Sequence, residues 1–406
     1  MNALRTLAVA SALCAVTPGI AWGTDWVLSA DVRVVDSDGQ RSLFDGGFGT
    51  LRYDRYDDPV QVAQLRAALT QPLGDVWALK LDASYFGQDD AHPLGVTEAY
   101  LEYRPYPFDG WRTRVRIGGF YPPVSLEDTE SGWSSPYTLS NSALNSWIGE
   151  EVRAIGVEGQ LEWLGTRLGH DFDLGVTSAI FGWNEPAGTV VGTGGFSLND
   201  FQTAIPQGYV GGRGAAAFPE QSIFHEIDGH EGFYVGADAR YLDRVTLLAL
   251  HYDNRANPTA VDLEANEAWD THFNSAGVRV DTGGGWTAII QWLAGTTSVV
   301  YNGDFYSFPF HARFALLSRE WGRNTLSARY DIFGIDSNAQ YGLGAEDGHA
   351  WTVAYIFNQS PRWRFALEWL HVTSEAANRA VLLDESAFAV ENQTQLSIRY
   401  TIGSGR

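Results

Sequence analysis

The sequence predicts a transmembrane antiparallel β-barrel of about sixteen strands. Three observations predict it. Runs of about ten residues alternate apolar and polar side chains. The connectors between those runs alternate between short and long. Beyond the N-terminal segment, no stretch approaches the roughly 18 consecutive apolar residues of a membrane-spanning helix. The wider composition narrows the field. Among 406 residues, 49 acidic side chains face 27 basic ones, for a formal charge of −22, so the basic face of a nucleic-acid-binding protein is missing. One cysteine rules out a disulfide framework or a paired-cysteine metal site. Aromatic residues at 13% argue against disorder.

Residues Met1–Gly23 read as a cleaved secretory signal. Arg5 is followed by the apolar run Leu7–Val16, then Pro18 and the small-residue exit Ala21-Trp22-Gly23. Cys14 follows Leu13, where a lipoprotein signal would need a small residue, so no lipid anchor is expected. The mature chain, 24–406, then forms one barrel domain without cysteine or methionine.

In order, the expected strands are 25–35, 61–70, 76–87, 95–104, 111–120, 152–163, 168–181, 232–242, 244–253, 271–281, 285–298, 308–319, 324–334, 348–358, 363–373 and 392–402. Successive strand side chains point to opposite faces, so each run has one oily and one polar face. In the first, Trp26, Leu28, Ala30, Val32 and Val34 oppose Ser29, Asp31 and Arg33. In the third, Trp77, Leu79, Leu81, Ala83 and Tyr85 oppose Lys80, Asp82 and Ser84. Trp351, Val353, Tyr355 and Phe357 make one late face, Trp363, Phe365, Leu367 and Trp369 the next, and Leu396, Ile398, Tyr400 and Ile402 the last. Aromatic residues gather at the ends of these faces, where a membrane barrel carries its interfacial girdles.

Short links at 71–75, 105–110, 164–167, 243, 282–284, 320–323 and 358–362 alternate with long ones at 36–60, 121–151, 182–231, 254–270, 335–347 and 374–391. Short turns on one rim and long loops on the other are the asymmetry of an outer-membrane barrel, which a soluble sandwich or propeller has no reason to share. The links 88–94 and 299–307 are intermediate.

Charge then orients the strands. In 111–120, Arg112, Arg114 and Arg116 share one face and Trp111, Thr113, Val115 and Ile117 the other. A slip of one register would turn three arginines to lipid, at about 2–4 kcal/mol each near the midplane, so the arginines are expected inside. Glu98 and Glu102 on the preceding strand are expected to pair with them. The same parity test assigns Arg33, Arg66, Arg240, Arg279, Arg313, Arg329, Arg364 and Arg399 to the interior, with Asp31, Asp82, Glu158, Asp238, Asp331 and Glu368. Of these, Arg112, Arg114, Arg116, Glu98, Glu102, Arg33, Arg66, Arg313, Arg329 and Arg399 are the candidate pore-lining set. Lys80 is the only lysine, so fixed, bidentate arginine networks dominate. A barrel of this size is too wide for side chains alone to fill, and a water-filled lumen is expected.

The connector 121–151 contains Glu127, Asp128, Glu130, Glu150 and Glu151 with Trp133, Tyr137 and Trp147. A strand ending Gly118-Gly119-Phe120, followed by Tyr121-Pro122-Pro123-Val124-Ser125-Leu126-Glu127 and a Ser/Trp-rich loop, resembles the phosphate-selective porin O and P family of Gram-negative outer membranes. The resemblance implies a sixteen-stranded porin, an inward-folding third loop at 121–151 that narrows the pore, and a homotrimer. It implies contact with outer-membrane lipid and lipopolysaccharide, and insertion by the barrel-assembly machinery. The loop carboxylates would then face Arg112, Arg114 and Arg116 across the lumen and orient small hydrophilic solutes in a transverse field. Passive diffusion of polar or charged solutes is the leading reading, with a selective anion or oxyanion channel as the alternative.

Other chemistries find little support. His225-Glu226-Ile227-Asp228-Gly229-His230 places its histidines five apart, which does not put both on one helical face as a zinc-protease motif requires, and it is read as solvated loop. Asp36-Ser37-Asp38-Gly39 lacks the remaining ligands of a calcium loop, and acidic loops near lipopolysaccharide are expected to bind divalent ions only weakly. His251, His311 and His371 have no nucleophile partner in any motif. No cofactor, metal site or catalytic set is therefore assigned, and an outer-membrane barrel enzyme and a loop-displaying adhesin stand as the lesser alternatives.

Overall fold

Alternation of oily and polar faces closes into a single sheet. The computed structural model describes residues 23–87, 93–205, 208–209, 221–263 and 265–404, and the expected signal segment lies outside them apart from Gly23. Sixteen strands form a closed antiparallel barrel. They are β1 (Asp25–Ser37), β2 (Val60–Leu73), β3 (Trp77–Tyr85), β4 (Leu94–Tyr103), β5 (Trp111–Phe120), β6 (Ala154–Trp163), β7 (Phe172–Gly182) and β8 (Gly232–Tyr241), then β9 (Val245–Asp253), β10 (Asp270–Gly283), β11 (Trp286–Tyr301), β12 (Asp304–Trp321), β13 (Asn324–Ile335), β14 (Glu346–Asn358), β15 (Trp363–Ala376) and β16 (Phe388–Gly403). Each pairs with its sequence neighbour, and β16 closes on β1 from Val27↔Gly403 to Ser37↔Gln393, which leaves no free edge.

The outer surface is apolar because these strands present their oily parity to it. Leu79, Leu81, Ile117, Val157, Leu161, Val176, Leu247, Ile290, Val353, Leu367 and Ile398 are all exposed. At the short-turn rim, an aromatic belt runs through Trp77, Trp111, Tyr241, Trp286, Trp321 and Trp363. Cross-strand pairs reinforce it, with ring centroids 4.8 Å apart for Trp77–Tyr103 and 4.6 Å for Trp363–Tyr400. Gly118 lets β5 approach β4 closely. Its φ is +134°, and a Cβ there would lie 2.3 Å from the Ala99 carbonyl oxygen.

One expectation about the rims needs correction. The intermediate link 299–307 is a two-residue turn, because β11 and β12 run on until Tyr301 opposes Asp304 across Asn302-Gly303. Both turn residues take positive φ, 53° and 90°, the conformation that makes Asn-Gly the preferred tight hairpin. Within the long link 182–231, residues 184–204 are almost wholly buried inside the barrel, while the motif 225–230, read as solvated loop, is partly exposed.

The core therefore sits in the lumen, toward the long-loop rim. Helix α1 (Ala143–Glu151) of the third loop is buried along its whole length. Its Trp147 packs edge-on against Phe273 of β10 and Phe310 of β12, at 5.3 and 4.9 Å. A short helix, α2 (Thr189–Thr193), packs beside α1 and β11. Phe181, Tyr252 and Phe273 continue the aromatic stack across three inward-facing strands. The wide barrel is thus filled on this side by chain rather than by water.

Candidate functional site

The arginine row on β5 lies on the luminal face, and register decides its partners. Arg112 stands opposite Glu162 and Arg116 opposite Glu158 on β6. Arg112 donates to both oxygens of Glu162, at 2.5 and 2.9 Å, and Glu162 also accepts from Arg240 of β8 at 2.5 Å. Arg116 grips Glu158 at 2.7 and 2.6 Å, Arg114 reaches it at 3.3 Å, and the Tyr234 hydroxyl donates to it at 2.5 Å. The ion-pair partners of this row are thus on β6, not the third-loop carboxylates expected to face it, and from that loop the Tyr121 carbonyl accepts from Arg116 at 3.2 Å. A carboxylate one strand away is always within reach, whereas the loop carboxylates are held elsewhere. Glu102 pairs with Lys80 at 3.1 Å rather than with an arginine, and Glu98 accepts the Tyr121 N–H at 3.2 Å.

The third loop is fastened to the opposite wall. Ser142 caps α1, its Oγ accepting the Asn145 N–H at 3.3 Å. Glu127 lies at the same helix end, accepting from the Ser142 N–H at 3.0 Å and Asn145 Nδ2 at 2.8 Å, where the helix dipole favours a carboxylate. Its other oxygen takes Arg329 of β13 at 2.5 Å. Arg329 also donates to Asp331 at 2.8 Å and to the carbonyls of Ser140 and Asn141 at 2.7 and 2.9 Å. Glu368 of β15 accepts the Leu139 and Ser140 N–H groups at 2.6 and 3.0 Å. Wall and loop are joined by charge-assisted bonds, the strong kind.

The remaining loop residues fall into three groups. Glu130 is exposed and 3.5 Å from Arg364 of β15. Glu150 accepts from Ser197 and Asn199 at 2.6 Å each, and burial pushes its carboxyl up to about 7. Glu151 accepts from Trp147 Nε1 at 2.5 Å and from the Val190 and Val191 N–H groups at 2.7 and 3.2 Å, and burial pushes it to about 8. Both carboxylates bind the fourth loop. Asp128 is buried with neither oxygen hydrogen-bonded, and burial followed by the neighbouring Glu127 charge raises its carboxyl well above the usual range. Trp133 stacks on Tyr121 at 4.3 Å and donates to the Asn145 carbonyl at 2.9 Å, while Tyr137 packs with Leu126, Ile289, Phe314 and Leu316.

Two fasteners had no signature in the sequence. Asp200, in the fourth loop, receives Arg33 of β1 at 2.5 Å and Arg52 of the first loop at 2.6 Å. Arg153, buried between α1 and β6, donates to the carbonyls of Thr97, Ile148, Gly149, Val152 and Thr203. Its guanidinium lies 3.4 Å from the centre of the Tyr121 ring. It closes the C-terminal end of α1 and ties both inserted loops to β4. The partners of Asp200 lie 148 and 167 residues away, so no local pattern announces them.

Arg313 does not line the lumen. On β12 the residues Phe308, Phe310, Ala312, Phe314 and Leu316 are buried inward, and Arg313 is exposed on the outer face between Trp292 and Ile332. The interior at this level is protein, so the oily parity faces inward and carries the arginine out. Arg33 and Arg329 do point inward, but beneath the loops, at 0% exposure.

Open space remains at the short-turn end. A vestibule of ≈ 880 Å³ is framed by Arg66, Arg323, Arg362, Arg364 and Arg399 against Glu130 and Glu320, with Tyr137 on one wall. Arg66 is paired with Asp82, and Arg399 with Asp31 at 3.1 Å. In an acidic chain, this chamber is rimmed mainly by cations.

No family model matches the chain, and no curated protein is detectably similar in sequence. Solved structures are similar in shape. The outer membrane channel DcaP of Acinetobacter baumannii superposes with a TM-score of 0.53 at 11% identity, covering 94% of this chain and 96% of that one. The outer-membrane expressed OmpT of Vibrio cholerae gives 0.52 at 11% identity, covering 95% and 99%. At such identity the likeness is one of fold, and the fold it supports is the sixteen-stranded outer-membrane barrel.

Proposed function

We propose that this chain is an outer-membrane channel of the porin type that passes small polar or charged solutes by diffusion. The carrying observation is the arginine-rimmed vestibule of ≈ 880 Å³ inside a closed barrel whose outer face is apolar. In this reading the short-turn rim faces the periplasm and the long-loop rim faces outward, among lipopolysaccharide. The inserted segments, 121–151 and 184–204, restrict the path between the vestibule and the outside, and Glu130 with Tyr137 stands where the third loop meets the chamber. Three copies assemble side by side, as in the porins the sequence resembles. The similarity of DcaP, itself described as a channel, supports conduction over catalysis.

A selective anion channel is the second reading, and the excess of arginine around the vestibule favours it. A low-dielectric chamber lined by one sign of charge concentrates counter-ions. Planar-bilayer recording of the purified protein under a salt gradient tests both readings. Stepwise openings are expected, with a reversal potential displaced toward anions. Absence of any conductance from correctly folded protein would remove the channel reading, and a cation-selective potential would remove the second.

A further inference from the structure

We propose that Glu185, Glu226 and Asp228 form a site for one divalent cation, calcium by the chemistry of its ligands, at the base of the loop 182–231. These residues offer carboxylate oxygens that all lie within 4.8 Å of one another. Two ligands of one calcium ion, each about 2.4 Å from it, stand no more than about 4.8 Å apart, so the three fit one coordination sphere completed by water.

Burial and orientation point to a cation as well. Glu185 is 1% exposed. One of its oxygens accepts the N–H groups of Ile227 and Asp228, and the other, Oε1, is buried without a hydrogen-bond partner. Glu226 accepts the Trp183 N–H at 2.9 Å. Asp228 accepts the N–H groups of His230 and Asn257 and faces His230 Nδ1 at 2.9 Å. Elsewhere in the lumen, buried Glu127 and Asp200 each hold an arginine. Among the described residues neither Glu185 nor Glu226 has an ion-pair partner, and Asp228 has only His230.

The donor set selects the metal. Oxygen ligands of flexible geometry suit calcium, while zinc favours nitrogen and sulfur. His225 is turned away to Asp262 at 2.6 Å. A second acidic group, Asp45, Asp54 and Asp57, differs in that it holds no buried oxygen comparable to the orphaned Glu185 Oε1. The proposed ion would clamp the start of the fourth loop to its end. It would also clamp both to the fifth loop, because Trp269 donates to the Glu185 carbonyl at 2.8 Å and Asn257 to Asp228.

The site does not depend on the barrel conducting. Calcium binding is measured by calorimetry and by metal content on the full-length folded protein in detergent, after chelation. One calcium per chain is expected, with a higher thermal midpoint in its presence and weaker binding of magnesium. Glu185→Gln should weaken binding by about tenfold or more while circular dichroism shows an intact sheet. Glu226→Gln, on a less buried ligand, should do the same and serves if the first variant does not fold. Equal calcium binding by both folded variants, or no stoichiometric binding by the parent, would overturn the site. So would a thermal midpoint raised by acid but indifferent to calcium, because a shared proton would then be the counter-charge.

Discussion

The Arg329 guanidinium and the Glu127 carboxylate meet at 2.5 Å inside the barrel, both at 0% exposure, one on the wall and the other on the third loop. This contact decides whether the loop is a plug or a tether, because Glu127 also holds the N-terminal end of α1.

Removing one partner leaves a buried charge unmatched, which costs about 3–5 kcal/mol. Arg329→Met should lower the denaturation midpoint and increase single-channel current as the loop loosens. The double variant Arg329→Met/Glu127→Gln should recover much of the midpoint. A double variant no more stable than the single one would show that the pair is not what fastens the loop.

Arg323 and Arg362 border the vestibule from short turns, where substitution does not disturb the sheet. Arg323→Glu/Arg362→Glu reverses the balance of charge around the chamber. The zero-current potential should move toward cations with little change in folding. The β5 row, each member of it tied to a β6 carboxylate, should respond less: Arg114→Glu is expected to shift the potential by a smaller amount.

Glu150 and Glu151 are both pushed upward, to about 7 and about 8, so the folded loops bind protons that an extended chain would release near its ordinary value. A raised carboxyl stabilises the protonated packing, and that stability falls as pH rises from about 5 through about 8. Channel current and its noise should therefore increase over this window while the barrel persists. In Glu150→Gln/Glu151→Gln the increase should flatten, and an unchanged pH profile would refute the link.

The outward position of Arg313 is open to direct labelling. The only cysteine, Cys14, lies in the expected signal segment, so single-cysteine variants report cleanly. A probe on Arg313→Cys should be quenched from the lipid phase and one on Ala312→Cys should not. The reverse pattern would return β12 to the register that parity alone suggests.

Parity was readable in the sequence wherever one face of a strand meets hydrocarbon and the other meets charge. β1, β3, β5 and β16 all obey it, and with the alternating connectors they give strand number and closure. It failed on β12, whose oily parity turns inward and whose Arg313 turns outward, because the lumen beside it is filled by Trp147, Trp269 and their neighbours. The third loop was legible as a long connector between strands. Its fastenings were not, since Glu127 and Arg329 are 202 residues apart and Asp200 sits in a loop of no periodicity. Glu226 and Asp228 drew notice only for the histidines flanking them, while the third carboxylate, Glu185, lies 43 residues before Asp228.

The tight Asn302-Gly303 hairpin joins strands of 16 and 18 residues. Backbone already locked into a ladder up to its last two residues offers a protease nothing to unfold, unlike a longer connection without ladder hydrogen bonds. This sector is a bare parapet: the part of the crown most durable against digestion, and the one with the least room to diversify without rebuilding the wall beneath it.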